Sequence, residues 1–161
     1  MHLLEFDVFT HVVQCTSNKD SKTPYTCDYE HLVYCYDDAD SQIKPHFPGT
    51  VEFIRQAELS AKNGASAYLP VRVMVHCKQG VSRSASCTVA YLMEVRRMTL
   101  RDALALVKKG RECICVNQGF AEQLLEYEKE LRGSNSITFK QMVKNEWASP
   151  VWNRGNKEWY N

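Results

Sequence analysis

The sequence predicts an α/β domain with a mostly parallel central sheet flanked by helices. Three observations carry that expectation. Short apolar, β-branched runs alternate with longer segments of helical period, the pattern of strands joined by crossover connections. One such run, Val71–Val75, ends in His76-Cys77 and passes through a glycine-containing loop into a small-residue, helix-forming stretch. In a parallel sheet that order sets a loop at the carboxyl end of a strand, where α/β folds place their ligand sites.

Taken in chain order, Leu3–Phe9 reads as the end of a helix and Thr10–Cys15 as a buried strand. Residues Thr16–Tyr29 are rich in Lys, Asp and Ser and read as an exposed loop or weak edge. Glu30–Tyr36 is a second strand, and Asp37–Ser41 a loop. Pro45–Lys62 is helical, with Val51, Ile54 and Leu59 available for a core-facing stripe. The turn-rich stretch Asn63–Pro70 is a small surface insertion, Val71–His76 the central strand and Ser84–Arg97 the helix behind its loop. Thr99-Leu100-Arg101-Asp102 has the form of a capping box and opens a helix to about Lys109. A last helix runs from Asn117 to Leu131.

The 161 residues suffice for one domain with a sizeable core, assigned to 1–132. The tail, 133–161, places Trp147, Trp152 and Trp159 among Lys, Arg and Asn without periodicity. It either folds back over apolar surface or serves as a docking segment with aromatic anchors. A net charge of +1 gives no sign of a nucleic-acid or bulk membrane-surface binder, and no stretch approaches a membrane span. Met1–Asp7 is acidic where a signal peptide would be basic. Seven cysteines at irregular spacings, without a C-x-x-C pair, point to reduced thiols in a cytoplasmic or nuclear setting rather than a disulfide framework or zinc site.

The loop itself is chemically explicit. Cys77-Lys78-Gln79-Gly80-Val81-Ser82-Arg83 sets a thiol six positions ahead of a guanidinium, with a helix starting just beyond. Successive backbone N–H groups and a helix N-terminus aimed at one point form a nest for a tetrahedral anion. The same donors favour a thiolate at its floor. Arg83 adds a fork matched to two phosphoryl oxygens. Nucleophile, cradle (the amides of Lys78 to Arg83) and clamp together make a site for cysteine-dependent phosphoester cleavage.

These residues resemble the signature of the cysteine-based protein tyrosine phosphatase superfamily, His-Cys-x-x-Gly-x-x-Arg followed by Ser or Thr. Ser84-Ala85-Ser86, Ala90-Tyr91-Leu92-Met93 and Asn117-Gln118-Gly119-Phe120 with Gln123-Leu124 are similar to the dual-specificity phosphatase branch. The loop is most similar to slingshot-type and MAP-kinase-phosphatase-type members. The resemblance implies a phosphatase acting on phosphotyrosine and phosphoserine/threonine in protein substrates through a phosphocysteine, with no cofactor and no metal. It also implies an acid from a loop ahead of the cysteine. Asp37, which follows the second strand and stands ten residues before Phe47, matches best, with Asp38 and Asp40 as fallbacks. Ser84 would hydrogen-bond the sulfur or cap the helix, His76 would orient the loop, and Asn117 would buttress it or serve as a plain N-cap.

Two departures stand out. The chain begins too late for one further N-terminal strand, so the sheet edge is built differently or the sequence is a piece of a longer protein. Val116 stands where the branch often has Pro, which predicts a modest change in loop stiffness. Val81 and Ser82, in place of a second loop Lys, argue against an inositol-phosphate pocket. The low net charge argues against an RNA 5′-phosphatase. A phosphate-dependent binding module, a phosphatase for a non-protein phosphoester and a rhodanese-like sulfur carrier remain as other readings. Oligomeric state is left open.

Overall fold

A computed structural model describes residues 9–62 and 70–150. All of the helix expected over Leu3–Phe9 except Phe9, most of the insertion at Asn63–Pro70, and Trp152 and Trp159 lie outside those residues. Three strands, β1 (His11–Thr16), β2 (Tyr29–Tyr34) and β3 (Val73–His76), form a wholly parallel sheet in the order β2-β1-β3. Its helices are α1 (Phe47–Lys62), α2 (Arg83–Val95), α3 (Leu100–Gly110), α4 (Gln118–Arg132) and α5 (Phe139–Lys144), with a 3-10 turn at Lys44–His46 ahead of α1.

The strand that leads to Cys77 was expected in the middle. Among the described residues β1 takes that place and β3 lies beside it. Burial explains the order. Val12 and Val13 of β1 are fully buried, whereas every residue of β3 keeps partial exposure. Register pairs His11 with both Tyr29 and Val73, and Gln14 with Leu32 and His76. The carboxyl ends of all three strands therefore open on one side of the sheet, where Thr16 ends β1 and Cys35 and Cys77 follow β2 and β3.

Helix α2 is the hub. Its run Arg83–Cys87 is buried without a break, as are Val89, Ala90, Tyr91 and Met93. Small side chains allow this close approach, and Cys15 Sγ of β1 lies 3.8 Å from Cys87 Sγ. The buried hydroxyl of Ser86 is satisfied by donating to the Ser82 carbonyl at 2.9 Å. On α1 the buried positions are Phe47, Thr50, Val51, Ile54 and Ala57, a regular i, i+3, i+4, i+7 stripe. Leu59, assigned to that stripe from sequence, is instead 42 % exposed. Five residues beyond Ile54, it has rotated off the face.

Thr99 caps α3, accepting from the Asp102 amide at 3.1 Å. The reciprocal half of the capping box is absent, because Asp102 instead accepts from the Thr99 hydroxyl at 2.8 Å. A different donor of the helix start is met by Glu128, fully buried on α4, which accepts from the Leu100 amide at 2.7 Å and from the Ser136 amide and hydroxyl at 2.8 and 2.7 Å. Beyond α4, Ile137, Met142 and Ala148 belong to the same core, and Trp147 packs against it.

Burial lowers the pKa of three histidines below the usual 6.5: His11 with Asp28 opposing, His31 with His46 adding, and His76 with the Cys77 backbone and Glu30 opposing. A folded pKa below the unfolded one means the unfolded chain takes up protons first as pH falls. Their contribution is complete above about pH 6.5 and declines below it. The melting temperature at matched ionic strength should therefore fall between pH 7 and 5.5. A flat profile would show that these rings titrate alike in both states.

Candidate active site

The loop after β3 folds around its own cysteine. Gly80 adopts φ 66°, the left-handed conformation that glycine accepts without strain, and this turns its amide onto Cys77 Sγ at 3.2 Å. Ser84, in the first turn of α2, brings its hydroxyl to 3.2 Å from the same sulfur. Burial pushes the thiol pKa up, but the Ser84 hydroxyl and the amides of Ser84, Gly80 and Gln79 outweigh it, and the net result is a pKa below the ordinary cysteine value. Cys35, also facing Arg83 but without such donors, goes the other way, pushed to about 11 by burial and the neighbouring Cys87. Sulfurs near one guanidinium are thus shifted in opposite directions, Cys77 down and Cys35 up.

Arg83 is buried, donating from Nη1 to the Cys35 carbonyl at 3.2 Å, while Nε stands 3.9 Å from the Asp37 carboxylate. Nε has no hydrogen-bond partner among the described residues, so a buried charged donor is left for an incoming anion. A cleft of about 400 Å³ opens over Cys77 and Arg83, walled by Thr16, Lys22, Pro24 and Tyr25. His76 lies beneath the loop, edge-on to Tyr25 at 5.1 Å and 3.4 Å from the Thr23 hydroxyl.

The three candidate acids part company in the fold. Asp37 accepts from Asn117 Nδ2 at 2.9 Å and faces Arg83. Asp38 accepts the Ser41 amide at 2.8 Å, closing the turn. Asp40 is exposed. Asn117 has three jobs: its Oδ1 caps α4 through the Phe120 amide at 2.9 Å, its side-chain nitrogen holds Asp37, and its backbone N–H donates to the Ser82 hydroxyl at 3.1 Å. Lys78, Gln79, Gly80, Val81 and Ser82 form the loop backbone as expected from their order.

Three positioning residues were not assigned from sequence. Arg111, just after α3, donates to the Gly80 carbonyl at 2.8 Å and the Gln79 carbonyl at 2.9 Å, turning the loop's oxygens outward and its amides inward. Gln123 accepts the Ile43 and Lys44 amides at 2.8 and 2.9 Å and donates to the Ser41 carbonyl at 2.9 Å. A Cβ on Gly119 would stand 2.0 Å from the Ala39 carbonyl oxygen, so α4 meets the Asp37 loop backbone to backbone. None of these contacts has a local sequence signal, since each joins segments thirty to eighty residues apart.

A thiol ringed by backbone amides at the carboxyl end of a parallel sheet, with a buried arginine beside it, has the arrangement of a cysteine-loop site. Comparison narrows the class. The family model "Dual specificity phosphatase, catalytic domain" matches residues 2–130. Dual specificity protein phosphatase 19 of Mus musculus is 41 % identical over 100 residues, 61 % of this chain and 41 % of that protein. Protein phosphatase Slingshot of Drosophila melanogaster is 35 % identical over 117 residues, 73 % of this chain and 10 % of that protein. The chain thus spans less than half the length of these curated relatives. The crystal structure of the human tyrosine phosphatase-like serine/threonine/tyrosine-interacting protein superposes with a TM-score of 0.63 at 32 % identity, covering 76 % of this chain and 78 % of that one. The chain belongs to the dual-specificity phosphatase family. Among the described residues, no helix is long and apolar enough to cross a membrane.

Proposed function

We propose that this chain hydrolyses phosphotyrosine and phosphoserine/threonine in proteins through a phosphocysteine. The observation that carries the reading is the Cys77 sulfur, held by the Ser84 hydroxyl and the Gly80 amide and more acidic than an ordinary thiol. In this mechanism the Cys77 thiolate attacks phosphorus in line, forming the S–P bond as the P–O bond to the substrate breaks. The loop amides and the Arg83 guanidinium bind the equatorial oxygens and gain most as charge redistributes in the transition state. Asp37 gives its proton to the departing alcohol oxygen, then as carboxylate takes one from the water that attacks the phosphocysteine. Inorganic phosphate leaves and the thiolate returns, with Ser84 donating to the sulfur as it departs. A reducing compartment, cytoplasmic or nuclear, suits such a nucleophile.

The test is turnover of aryl phosphates and of a phosphopeptide against pH, for the wild-type chain and Asp37→Ala. The wild type should give a bell-shaped profile. Asp37→Ala should remove the alkaline limb and lower kcat by roughly 10²–10⁴-fold on poor leaving groups, the usual scale of general-acid help, and by less on activated ones. Wild-type chain that binds phosphopeptide without turning it over would make this a phosphoprotein-binding module instead.

A further inference from the structure

We propose that Trp147–Ser149 is a positioning element for Asp37, acting through the strand-like link Cys115–Asn117; this rests on the phosphatase reading above. The segment following α5 runs parallel to that link. The Val116 amide donates to the Trp147 carbonyl at 3.0 Å, and the Ser149 amide donates to the Val116 carbonyl at 2.9 Å. Lys108 ties the approach to this pairing, its Nζ donating to the Ile114 carbonyl at 3.0 Å and the Glu146 carbonyl at 3.1 Å. The anchor is firm, because α5 carries a full capping box at Thr138 and Gln141, Met142 is fully buried and Ala148 nearly so.

The link so held touches every part of the site. The Cys115 amide donates to the Val81 carbonyl of the phosphate loop at 3.0 Å. The Asn117 amide reaches the Ser82 hydroxyl at 3.1 Å, and the Asn117 side chain reaches Asp37 at 2.9 Å. Three consecutive residues therefore bond alternately to the loop, to the C-terminal segment and to the acid. A shift of Val116 moves Asn117 with it, and Asn117 is the only hydrogen-bond donor to the Asp37 carboxylate found among the described residues. The pairing needs an N–H at position 116, which Val supplies and a proline would lack. Of the two segments paired in this brace, Trp147–Ser149 lies beyond the stretch 2–130 that the family model matches, and Cys115–Asn117 lies within it.

The experiment compares wild type, Val116→Pro, Ser149→Pro, Asp37→Ala and each Pro variant combined with Asp37→Ala, on aryl phosphates of graded leaving-group acidity. Each Pro variant deletes one donor of the pairing and leaves the phosphate loop's own sequence intact. Both should lower kcat by roughly three- to tenfold, the range of one net hydrogen bond, with KM little changed. The loss should grow as the leaving group becomes poorer, and should vanish when Asp37 is already Ala. A melting curve identifies any variant that fails to fold, in which case the other decides. Equal losses on all leaving groups, full additivity with Asp37→Ala, or unchanged kcat in a folded variant would overturn the brace. A wild-type chain without turnover would instead remove the phosphatase reading on which it rests.

Discussion

Cys77→Ser is expected to abolish turnover, by at least ~10⁴-fold, the order lost when the nucleophile of a covalent mechanism is removed. The loop that holds Cys77 works by stabilising an anion at one point: the Gly80 amide and the Ser84 hydroxyl, both at 3.2 Å from sulfur, lower the thiol pKa despite burial. The same donors cannot make an alkoxide from serine at neutral pH, because a hydroxyl starts several pKa units higher than a thiol. Yet the amides, Arg83 and Asp37 stay in place, so the variant should still bind a phosphopeptide. Acid-quenching during turnover should trap a phosphoenzyme from the wild type and none from Cys77→Ser. Residual turnover within tenfold of wild type would move the nucleophile to another thiol.

Glu128→Ala should be strongly destabilising although it lies outside the site, costing about 3 kcal/mol. Glu128 is fully buried and its carboxylate accepts three hydrogen bonds, one from the first amide of α3 and two from Ser136. Truncation strands the Leu100 amide in the core, where an unpaired donor costs about 1–3 kcal/mol, and leaves a cavity as well. At this chain length the melting temperature should drop by roughly 6–12 °C. Glu128→Gln, which retains one acceptor oxygen, should lose less. A loss below about 1 kcal/mol for Glu128→Ala would mean that Ser136 and α3 find other partners readily.

The strand–loop–helix unit around Cys77 was legible in the sequence because it is contiguous: strand, thiol, glycine, arginine and helix follow one another within a dozen residues. The parallel α/β class was legible for a similar reason, since period and order of elements are local properties. What escaped is held by contacts across the chain. No pattern near Arg111 announces that its guanidinium grips the Gln79 and Gly80 carbonyls, and nothing around Glu128 says that it serves α3. The place of β1 between its two partners depends on burial on both faces, which an apolar run of six does not specify. Helix α5 is a different case. Thr138-x-x-Gln141 is a capping-box spacing, and reading it would have found the helix. The pairing of Val116 with Trp147 and Ser149 had no such marker beyond the presence of an amide at 116.

The contact between Gly119 and Ala39 bears on how the site moves. With 2.0 Å between a hypothetical Cβ and the opposing carbonyl oxygen, no side chain fits between α4 and the Asp37 loop, and Gln123 fastens the same loop through three further bonds. The loop and the first turns of α4 are thus one body, and α4 is itself rooted in the core through Phe120 and Leu124. Swinging such a wall shut over a bound substrate would require breaking those bonds. On the proposed reading, Asp37 would be presented by a scaffold fastened to α4, and selectivity would come from which phosphorylated side chains reach into the cleft, with chemistry or product release, not closure of this loop, setting the pace.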